Sequence, residues 1–434
     1  MIIKAIVQTF LDKFKGNNVS FILSNLAFLV FVNLIVKPFW IFGIELKVQN
    51  LLGAEIYGNY FALFNFVFLF GVLLDLGIGN YNNREISRHP EKLSEHFSNI
   101  VVLKFLLALF YVGIIFFFAF VLQYDSAQLK LMSLLLLNQV FLSYILFFRS
   151  NLGALQLFKQ DSFMSVLDKL LMIFICSFMI WSVFFQDRFN ITWFVIAQSL
   201  AYGFTALISG LFVFRQTTSF SLKINIPFFK KILLSSYPFA LLVLLMSLYN
   251  RIDGVMLERL LPNGDIEAGI YAASYRLLDA VNQFGLLSAT ILLPVFAKMI
   301  KQEENVWNLA RMAGIAMFVL SLLVAFFCWF LRLPIMSFLY LEGDAYYALI
   351  FGLLMFSFIG ISSVYVFGTL LTANGSLRQL NFIAIGGVIL NIFLNYFLIF
   401  DYGALGATWA TLLTQSLVAI AHVILAWRVF STSS

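Results

Sequence analysis

The sequence predicts an all-α integral membrane protein of about twelve transmembrane helices arranged in two six-helix lobes. Composition is the first observation: 62% of the 434 residues are hydrophobic and 11% are charged, whereas a soluble domain carries about 25% charged residues. The second observation is that apolar runs of about 20 residues, long enough to cross a bilayer as a helix, recur along the chain. The third is that strict apolar/polar alternation is absent, so helices are favoured over strands.

The helices can be placed in chain order from windows of about 20 residues. The predicted spans are 19–41, 58–80, 98–122, 131–150, 163–185, 191–214, 234–257, 269–296, 310–331, 346–371, 380–400 and 404–427. The polar intervals between them are shorter than an independent domain, which excludes a fused soluble enzyme or receptor domain.

Residues 1–17 precede the first span and predict an amphipathic segment on the membrane surface. Its apolar positions fall on one helical stripe, with Lys4, Lys13 and Lys15 on the opposite side. No small-residue cleavage site follows, so we expect an anchor rather than a signal peptide.

Loop charges predict the orientation. Seventeen Lys and Arg residues fall in the loops assigned to the cytoplasm, against five in the opposite loops. This bias predicts a multi-pass protein with both termini in the cytoplasm. The net charge of +6 is spread over many loops, so it does not indicate nucleic-acid binding.

An internal repeat relates the two halves of the chain. Gly58-Asn59-Tyr60-Phe61-Ala62 opens the second span, and Gly269-Ile270-Tyr271-Ala272-Ala273 opens the eighth. Thr192-Trp193 and Thr408-Trp409 occupy corresponding positions near the ends of the halves. The difference in residue number between the matching segments is nearly constant. It predicts two bundles of like orientation, at 18–220 and 221–434, with a binding site between them.

Three basic side chains lie where the spans cross the membrane interior. An ionisable group near the bilayer centre costs about 2.5 to 3.5 kcal/mol, so each marks a candidate for a water-filled pathway. Lys37, Arg251 and Arg276 come from three different spans, and three cations at depth suit an anionic ligand. They are the predicted substrate-binding residues. Pro38 follows Lys37 and predicts a kinked or broken helix there.

Two acidic side chains accompany the arginines. Asp253 follows Arg251 by two residues, and Asp279 follows Arg276 by three, on one helix face. We interpret both acids as gating or ion-coupling residues, because a pair that opens in one conformation can act as a gate. The alternative is a structural salt bridge, either Arg251 with Asp279 or Asp253 with Arg276.

Further charges lie toward the cytoplasmic ends of the spans. Asp75 and Arg84 are predicted to form a cytoplasmic gate, although Asp75 could instead satisfy a helix terminus. Lys104 and Lys169 lie within two turns of helix ends, where long side chains reach water. Asp168 is expected to pair with a neighbouring cation.

No catalytic or metal-binding motif is found in the sequence. His89, His96 and His422 lie near polar loops or helix ends, and we expect them on the surface. We therefore predict that the protein is not an enzyme and has no cofactor, with H⁺ or Na⁺ as the coupling ion to consider.

Several segments resemble a known family. Leu52-Gly53-Ala54-Glu55-Ile56-Tyr57-Gly58-Asn59-Tyr60, followed by Asp75-Leu76-Gly77 and Arg84-Glu85-Ile86-Ser87, is similar to the amino-terminal signature of Wzx-type polysaccharide flippases. Gly269–Leu277, Pro294 and Tyr402–Ala407 resemble later stretches of those proteins. The resemblance covers essentially the whole chain.

The resemblance implies a V-shaped, MATE-like fold of the multidrug/oligosaccharidyl-lipid/polysaccharide exporter superfamily. It also implies a cargo, an undecaprenyl diphosphate-linked oligosaccharide such as an O-antigen unit of lipopolysaccharide or a capsule unit. The cargo would move from the inner to the outer leaflet of the bacterial inner membrane. Membrane lipids and other polysaccharide assembly proteins would be its partners.

Two other functions remain open from the sequence. A MATE-type antiporter coupled to a cation would be expected to have an acidic cavity. A membrane polysaccharide polymerase or glycosyltransferase needs a sizeable outer loop or a cluster of catalytic acids, and the predicted outer loops are short.

Overall fold

Helices form the described part of the chain in the computed structural model, which comprises residues 32–33, 35–183, 185, 188–220 and 224–431. The predicted surface segment 1–17 and most of the first predicted span lie outside the described residues. Helical structure continues through Pro38 and widens into a π-helix over Trp40–Glu45. The disruption expected near Pro38 therefore takes the form of a π-helix, which is a frequent cause of helix bending.

Twelve α-helices follow in the described chain. They are α1 (Leu46–Leu69), α2 (Ile78–Arg88), α3 (Leu93–Val121), α4 (Ser126–Ala154), α5 (Phe158–Trp181), α6 (Ile191–Phe214), α7 (Ile226–Leu260), α8 (Gly264–Lys301), α9 (Val306–Phe330), α10 (Arg332–Leu339), α11 (Ala345–Ala373) and α12 (Leu377–Phe430).

Two of the membrane-spanning stretches are interrupted by a glycine. Ten helical stretches of the described chain are long and apolar enough to cross a bilayer, and the longest are Ile35–Leu74 and Leu377–Phe430. Gly53 (φ 76°) breaks the first and Gly403 (φ 57°) breaks the second. Glycine adopts positive φ without strain, so each long stretch turns back and crosses twice. The count of about twelve crossings is thereby confirmed for the described chain.

The second predicted span ends earlier than expected. The helix tightens into a 3₁₀ turn over Phe70–Leu74, whereas the hydropathy pattern extends it to residue 80. Leu76 (φ 45°) and Gly77 (φ 78°) then take left-handed conformations and redirect the chain into α2. Polar Asp75 interrupts the apolar run at this point, which is the signal that marks the end.

The helices pack in two groups. Helix α6 packs on α4 and α5. In the other group, α8, α9 and α12 pack on α11, and α7 packs on α12 and α8. The most extensive contacts between the groups are those of α1 with α8 and α7. Large rings such as Phe120 (84% exposed) and Phe338 (87% exposed) project outward, as expected where lipid replaces water as the solvent.

Candidate functional site

The two halves of the chain approach most closely where α1 crosses α8. Gly58 lies against the carbonyl oxygen of Asp265, and a Cβ atom at Gly58 would come closer than 3.0 Å to that oxygen. Gly269 lies in the same way against the carbonyl oxygen of Ala54. Small residues four positions apart permit such close approach of membrane helices. The partners are related by the internal repeat, since 269 − 58 and 265 − 54 both equal 211.

Polar side chains reinforce this crossing. Asn59 Nδ2 donates to Asp265 Oδ1 at 3.1 Å, directly between α1 and α8. Asn50 Nδ2 donates to the carbonyl oxygen of Leu339 at 2.8 Å. These contacts close the molecule on the side that the loop charges predict to be outside.

A cavity separates the two halves on the opposite side of the crossing. It consists of two chambers of about 450 and 490 Å³. Phe68, Val243 and Ser247 line both, so the chambers lie side by side. The first, called here the N-chamber, is lined by Asp75 together with Asn83, Gln139 and Ser143. The second, the C-chamber, is lined by residues of α7, α8, α11 and α12, including Arg251, Asp279, Asn282, Gln283, Tyr365 and His422.

Arg251 and Asp279 form a bidentate ion pair in the C-chamber wall. Arg251 Nη1 and Nη2 donate to the two carboxylate oxygens of Asp279, both at 3.1 Å. The rings of Tyr275 and Phe68 lie 4.9 and 5.5 Å from the guanidinium carbon. The sequence named this pair as one of two structural alternatives, and its geometry is the strong, planar form of such a pair.

Arg276 lies on the side of the molecule where α1 crosses α8, and it lines neither chamber. Its Nε is 3.0 Å from Glu45 Oε1, which also accepts a hydrogen bond from the Tyr57 hydroxyl. Arg276 Nη1 lies 3.7 Å from Asp279 Oδ2. The alternative pair of Arg276 with Asp253 is wrong, because Glu45 in the π-helix occupies that place.

A continuous chain of charges results. Asp279 Oδ2 accepts from Arg251 and lies near Arg276, which in turn binds Glu45. Two guanidinium groups are thus balanced by two carboxylates. The chain runs from the cavity wall to the buried crossing region and joins the two halves.

Lys37 reaches the cavity wall from the amino-terminal half. Its Nζ donates to Gln283 Oε1 of α8 at 3.4 Å. Lys37 makes no ion pair with a carboxylate of the described residues. Of the three cations predicted to bind substrate, Arg251 lines the C-chamber, Lys37 touches a lining residue, and Arg276 lies behind the wall.

Asp253 is 1% exposed and lies behind the C-chamber. Its Oδ2 accepts hydrogen bonds from the hydroxyls of Tyr271 and Thr411 at 2.8 and 2.7 Å. Its Oδ1 accepts from the side-chain amides of Asn391 and Asn395 at 3.2 and 2.6 Å. No basic side chain of the described residues forms an ion pair with it. The site is therefore a buried carboxylate surrounded by neutral oxygen- and nitrogen-bearing groups.

Asp75 lines the N-chamber at the helix break. Its carboxylate lies 3.0 Å from Lys104 Nζ and accepts from the Gly79 N–H at 3.2 Å. Lys104 is 1% exposed, so the expectation that it reaches water is wrong: the Asp75 carboxylate and the Leu74 carbonyl oxygen bind its ammonium group instead. Arg84, the other predicted gate residue, is exposed and lies 3.8 Å from Glu85.

Two other expectations are corrected by burial. His96 and His422 are 6% and 5% exposed, so only His89 lies on the surface as predicted. Lys169 is held by Asp168 at 3.2 Å and by the Tyr202 hydroxyl at 3.0 Å instead of extending to water. The pairing expected for Asp168 is present.

Sequence reasoning did not identify Glu45, Asn391, Asn395 or Asn282 as site residues. Asn391 and Asn395 are polar and four residues apart within an apolar run, a pattern that marks one helix face. Glu45 lies four residues beyond the first predicted span (19–41), where an acidic residue ordinarily faces water. Its role becomes apparent only from its ion pair with Arg276, which lies 231 positions later in the sequence.

The sequence matches a family model described as polysaccharide biosynthesis protein over residues 12–300. No curated protein sequence matches the chain.

Solved structures of membrane transporters resemble most of the chain. An inward-facing multidrug resistance MATE family transporter of the MOP superfamily aligns with a TM-score of 0.66 and 14% identity, covering 89% of this chain and 94% of that chain. An outward-facing one aligns at 0.63 and 14% identity, covering 94% and 96%. A MOP superfamily transporter from Pyrococcus furiosus, described as having a binding pocket of reverse polarity that suggests a different function, aligns at 0.68 and 15% identity, covering 94% and 95%. The MATE-like fold predicted from the sequence is confirmed.

Proposed function

Because the chain belongs to the polysaccharide biosynthesis protein family, we propose that it is a flippase for an undecaprenyl diphosphate-linked oligosaccharide. The cargo, such as an O-antigen or capsule repeat unit, moves from the inner to the outer leaflet of the bacterial inner membrane. Transport proceeds by alternating access between the two lobes, 18–220 and 221–434. In this proposal both termini lie in the cytoplasm, as the loop charges predict.

The cavity between the halves is the observation that supports this function. Sugars and a diphosphate cannot enter hydrocarbon unaided, because many polar groups would lose their water together. Two adjacent chambers, whose largely apolar walls carry charged, amide and hydroxyl side chains, provide a hydrated route for the head group. The crossing of Gly58 and Gly269 closes the far side, so one side is open at a time, while the polyprenyl tail stays in lipid.

The three predicted cations have different tasks in this proposal. Lys37 and Arg251 bind the diphosphate at the cavity wall, where charge-assisted hydrogen bonds are strong. A diphosphate that binds Arg251 competes with Asp279 for its guanidinium. Asp279, once released, is already 3.7 Å from Arg276 and can draw Arg276 away from Glu45. Substrate binding thereby weakens a contact that joins the two halves.

The membrane potential can drive the movement. With the cell interior negative, outward movement of an anionic head group is favoured by about 2.3 kcal/mol per charge per 100 mV. ATP is not needed in principle.

The Asp253 cluster fits the coupling-ion role. A buried carboxylate without an ion-pair partner among the described residues offers the hard oxygen ligands that a proton or an alkali cation requires, and Asn395 Oδ1 is buried nearby without a hydrogen-bond partner. We infer that Asp253 binds H⁺ or Na⁺, while Asp75 and Arg84 act on the cytoplasmic side of the cycle.

A reconstituted flipping assay tests the function. Vesicles containing the purified protein and a fluorescent undecaprenyl diphosphate-linked sugar are treated with an impermeant quencher, and the accessible fraction is followed with time. Faster equilibration between leaflets than in protein-free vesicles supports the proposal. Transport of a cationic dye in place of the lipid would identify a drug antiporter instead.

A further inference from the structure

A groove runs along the outside of the carboxyl-terminal half, and it shares no described lining residue with either chamber. It lies between α9, α11 and α12 and has a volume of about 600 Å³. Phe318, Ile420 and Ile424 are exposed on its walls, while Gly360 and Ala419 lie buried at its base. The lining residues come from the middle of these crossings, so hydrocarbon chains surround the groove.

The polar groups of the groove are satisfied within their own helices. Ser363 Oγ donates to the carbonyl oxygen of Ile359 at 3.0 Å, and Ser416 Oγ donates to that of Leu412 at 2.8 Å. All other lining side chains are apolar. The groove therefore suits a hydrocarbon chain, and its lining gives a sugar or another polar ligand nothing to bind.

The corresponding helices of the amino-terminal half carry aromatic rings at the base positions. Helices α4 and α11 both have 29 residues, and each begins after an aspartate, Asp125 or Asp344, that caps two backbone N–H groups. This register, 344 − 125 = 219, places Phe141 at the position of Gly360. The Phe141 ring would lie 3.2 Å from a Cβ atom at Gly203 of α6, so the ring fills the seam between α4 and α6.

The repeat in the last crossing gives the same result. Gln198-Ser199-Leu200 of α6 recurs as Gln415-Ser416-Leu417 of α12, 217 positions later. Tyr202 therefore corresponds to Ala419, which is 6% exposed at the base of the groove. At these two base positions the carboxyl-terminal half has glycine and alanine where the other half has rings. The groove is thus a feature that distinguishes the two halves.

Two arginines lie beyond the end of the groove, on the side that the loop charges predict to be cytoplasmic. Arg311 precedes Phe318 by seven residues, and Arg428 follows Ile424 by four, so each lies on the helix face that lines the groove. At 1.5 Å per residue they lie about 10 and 6 Å beyond those lining residues. Both are exposed. Trp427, 56% exposed beside Arg428, is a residue type that favours the membrane–water interface.

We propose that this groove binds an anionic phospholipid of the inner leaflet. One acyl chain lies between α9, α11 and α12, and the phosphate head group lies at Arg311 and Arg428. Basic pockets between membrane helices on the cytoplasmic side are where anionic head groups bind. The position of Arg428 is taken by Leu211 in the other half, 217 residues earlier, so both the chain site and this cation belong to the carboxyl-terminal half. The inference goes beyond the proposed transport function, because the groove lies outside the cavity.

Native mass spectrometry of the full-length protein tests the site. Detergent-solubilised protein is titrated with phosphatidylglycerol and with phosphatidylethanolamine of identical acyl chains, and the Kd of the first bound lipid is measured. We expect phosphatidylglycerol to bind about ten- to thirtyfold more tightly, because each arginine near an anionic head group contributes about fivefold. Arg311→Gln and Arg428→Gln should each weaken phosphatidylglycerol binding about fivefold and leave phosphatidylethanolamine binding unchanged.

Two further variants test the groove and the charge separately. Ser363→Tyr introduces the residue type found at matching position 144 and should weaken binding of both lipids about tenfold, because the acyl chain loses buried methylene groups. Gly360 is unsuitable for this purpose, since a Cβ atom there would lie 2.6 Å from the Gln415 carbonyl oxygen. Arg215→Gln is the matched control: Arg215 is exposed at the end of α6, and its replacement should leave both affinities unchanged.

Several results would overturn the site. They are equal affinity of wild-type protein for the two lipids, an unchanged preference in both Arg311→Gln and Arg428→Gln, and an equal loss in Arg215→Gln. Undecaprenyl diphosphate should not displace the bound phosphatidylglycerol. Displacement would assign the groove to the tail of the cargo, and a dimer that Ser363→Tyr dissociates would assign it to a second copy of the chain. Either result overturns the proposal.

Discussion

At the scale of single residues, the ion pair of Glu45 and Arg276 has the clearest consequence. Both side chains are nearly buried, at 6% and 11% exposed, and their atoms are 3.0 Å apart. A buried ion pair adds little to folding stability compared with well-packed apolar residues in its place. Removing one partner is nevertheless costly, because the other is left as an uncompensated buried charge. The pair also joins the first described helical segment to α8, so its loss affects both stability and the contact between halves.

Charge reversal tests this pair. Arg276→Glu places two carboxylates together and should abolish surface polysaccharide in cells while membrane expression is retained. The single variant should be destabilised by about 3 to 5 kcal/mol, and the exchange Glu45→Arg with Arg276→Glu should recover part of both losses. Thermal unfolding and polysaccharide staining are the measurements. Lys130→Glu, on the exposed surface, is the control, and normal polysaccharide in Arg276→Glu would contradict the assignment.

Asp253 gives a second prediction for a single residue. Asp253→Asn keeps a side chain that can hydrogen-bond but removes the negative charge, so the ion-binding role should be lost while the fold is kept. We expect flipping to fall at least tenfold and to stop responding to Na⁺ or pH gradients imposed across the vesicle. Asp401→Asn, an exposed site, should retain the wild-type response. A gradient response that survives Asp253→Asn excludes this carboxylate as the coupling site.

At the scale of elements, the crossing of α1 and α8 depends on the absence of side chains. Gly58→Leu forces a Cβ atom against the carbonyl oxygen of Asp265, so the two helices must separate. We expect the closed state to be destabilised, and a cysteine at position 59 to react faster with an impermeant maleimide from the outside. Gly113→Ala is the control, because nothing lies within 4 Å of a Cβ atom there. Equal labelling rates in the two variants would contradict a sealing role.

Helix number and repeat were predictable from the sequence because both depend on local hydropathy and short motifs. The number of crossings and the equivalence of Gly58 with Gly269 follow from patterns within about 20 residues. The charge network was only partly predictable. Arg251 and Asp279 could be paired because their spans are adjacent in the chain, whereas Glu45 and Lys104 acquire their roles from partners that packing alone brings near.

The end of the second span shows a different limit. Hydropathy extends that span to residue 80, but Asp75 is bound by buried Lys104 and by a backbone N–H at the start of α2. A charged residue close to a predicted end can satisfy a helix terminus as readily as it can face water. Which of these roles it has depends on whether a partner of opposite charge lies within the protein. Hydropathy gives no information on such partners.

At the scale of the whole molecule, alternating access requires that the crossing of α1 and α8 opens in each cycle. Asn59 and Asp265 are in hydrogen-bond contact across it at 3.1 Å, and cysteines at both positions should form a disulfide. The native Cys176 and Cys328 are buried and free, so they interfere little. Oxidation of the double variant should stop flipping, and reduction should restore it.

A cross-link within one lobe provides the control for this experiment. Ser94 and Thr218 are exposed and 3.1 Å apart, both in the amino-terminal half. Cysteines there should cross-link without stopping transport, because the lobe moves as a body. Continued flipping with the bond at positions 59 and 265 intact would mean that the crossing does not open during transport.

The bare-backbone crossing also bears on how fast the protein can reset after delivering its cargo. Bulky interlocking side chains must find their rotamers again each time two surfaces rejoin, but glycine has none to find. We therefore expect the rate at which Gly58 and Gly269 come back into contact to be limited by rigid-body movement of the two halves in the lipid. Turnover should depend on membrane fluidity more steeply than it would if interdigitated side chains formed the contact between the two helices.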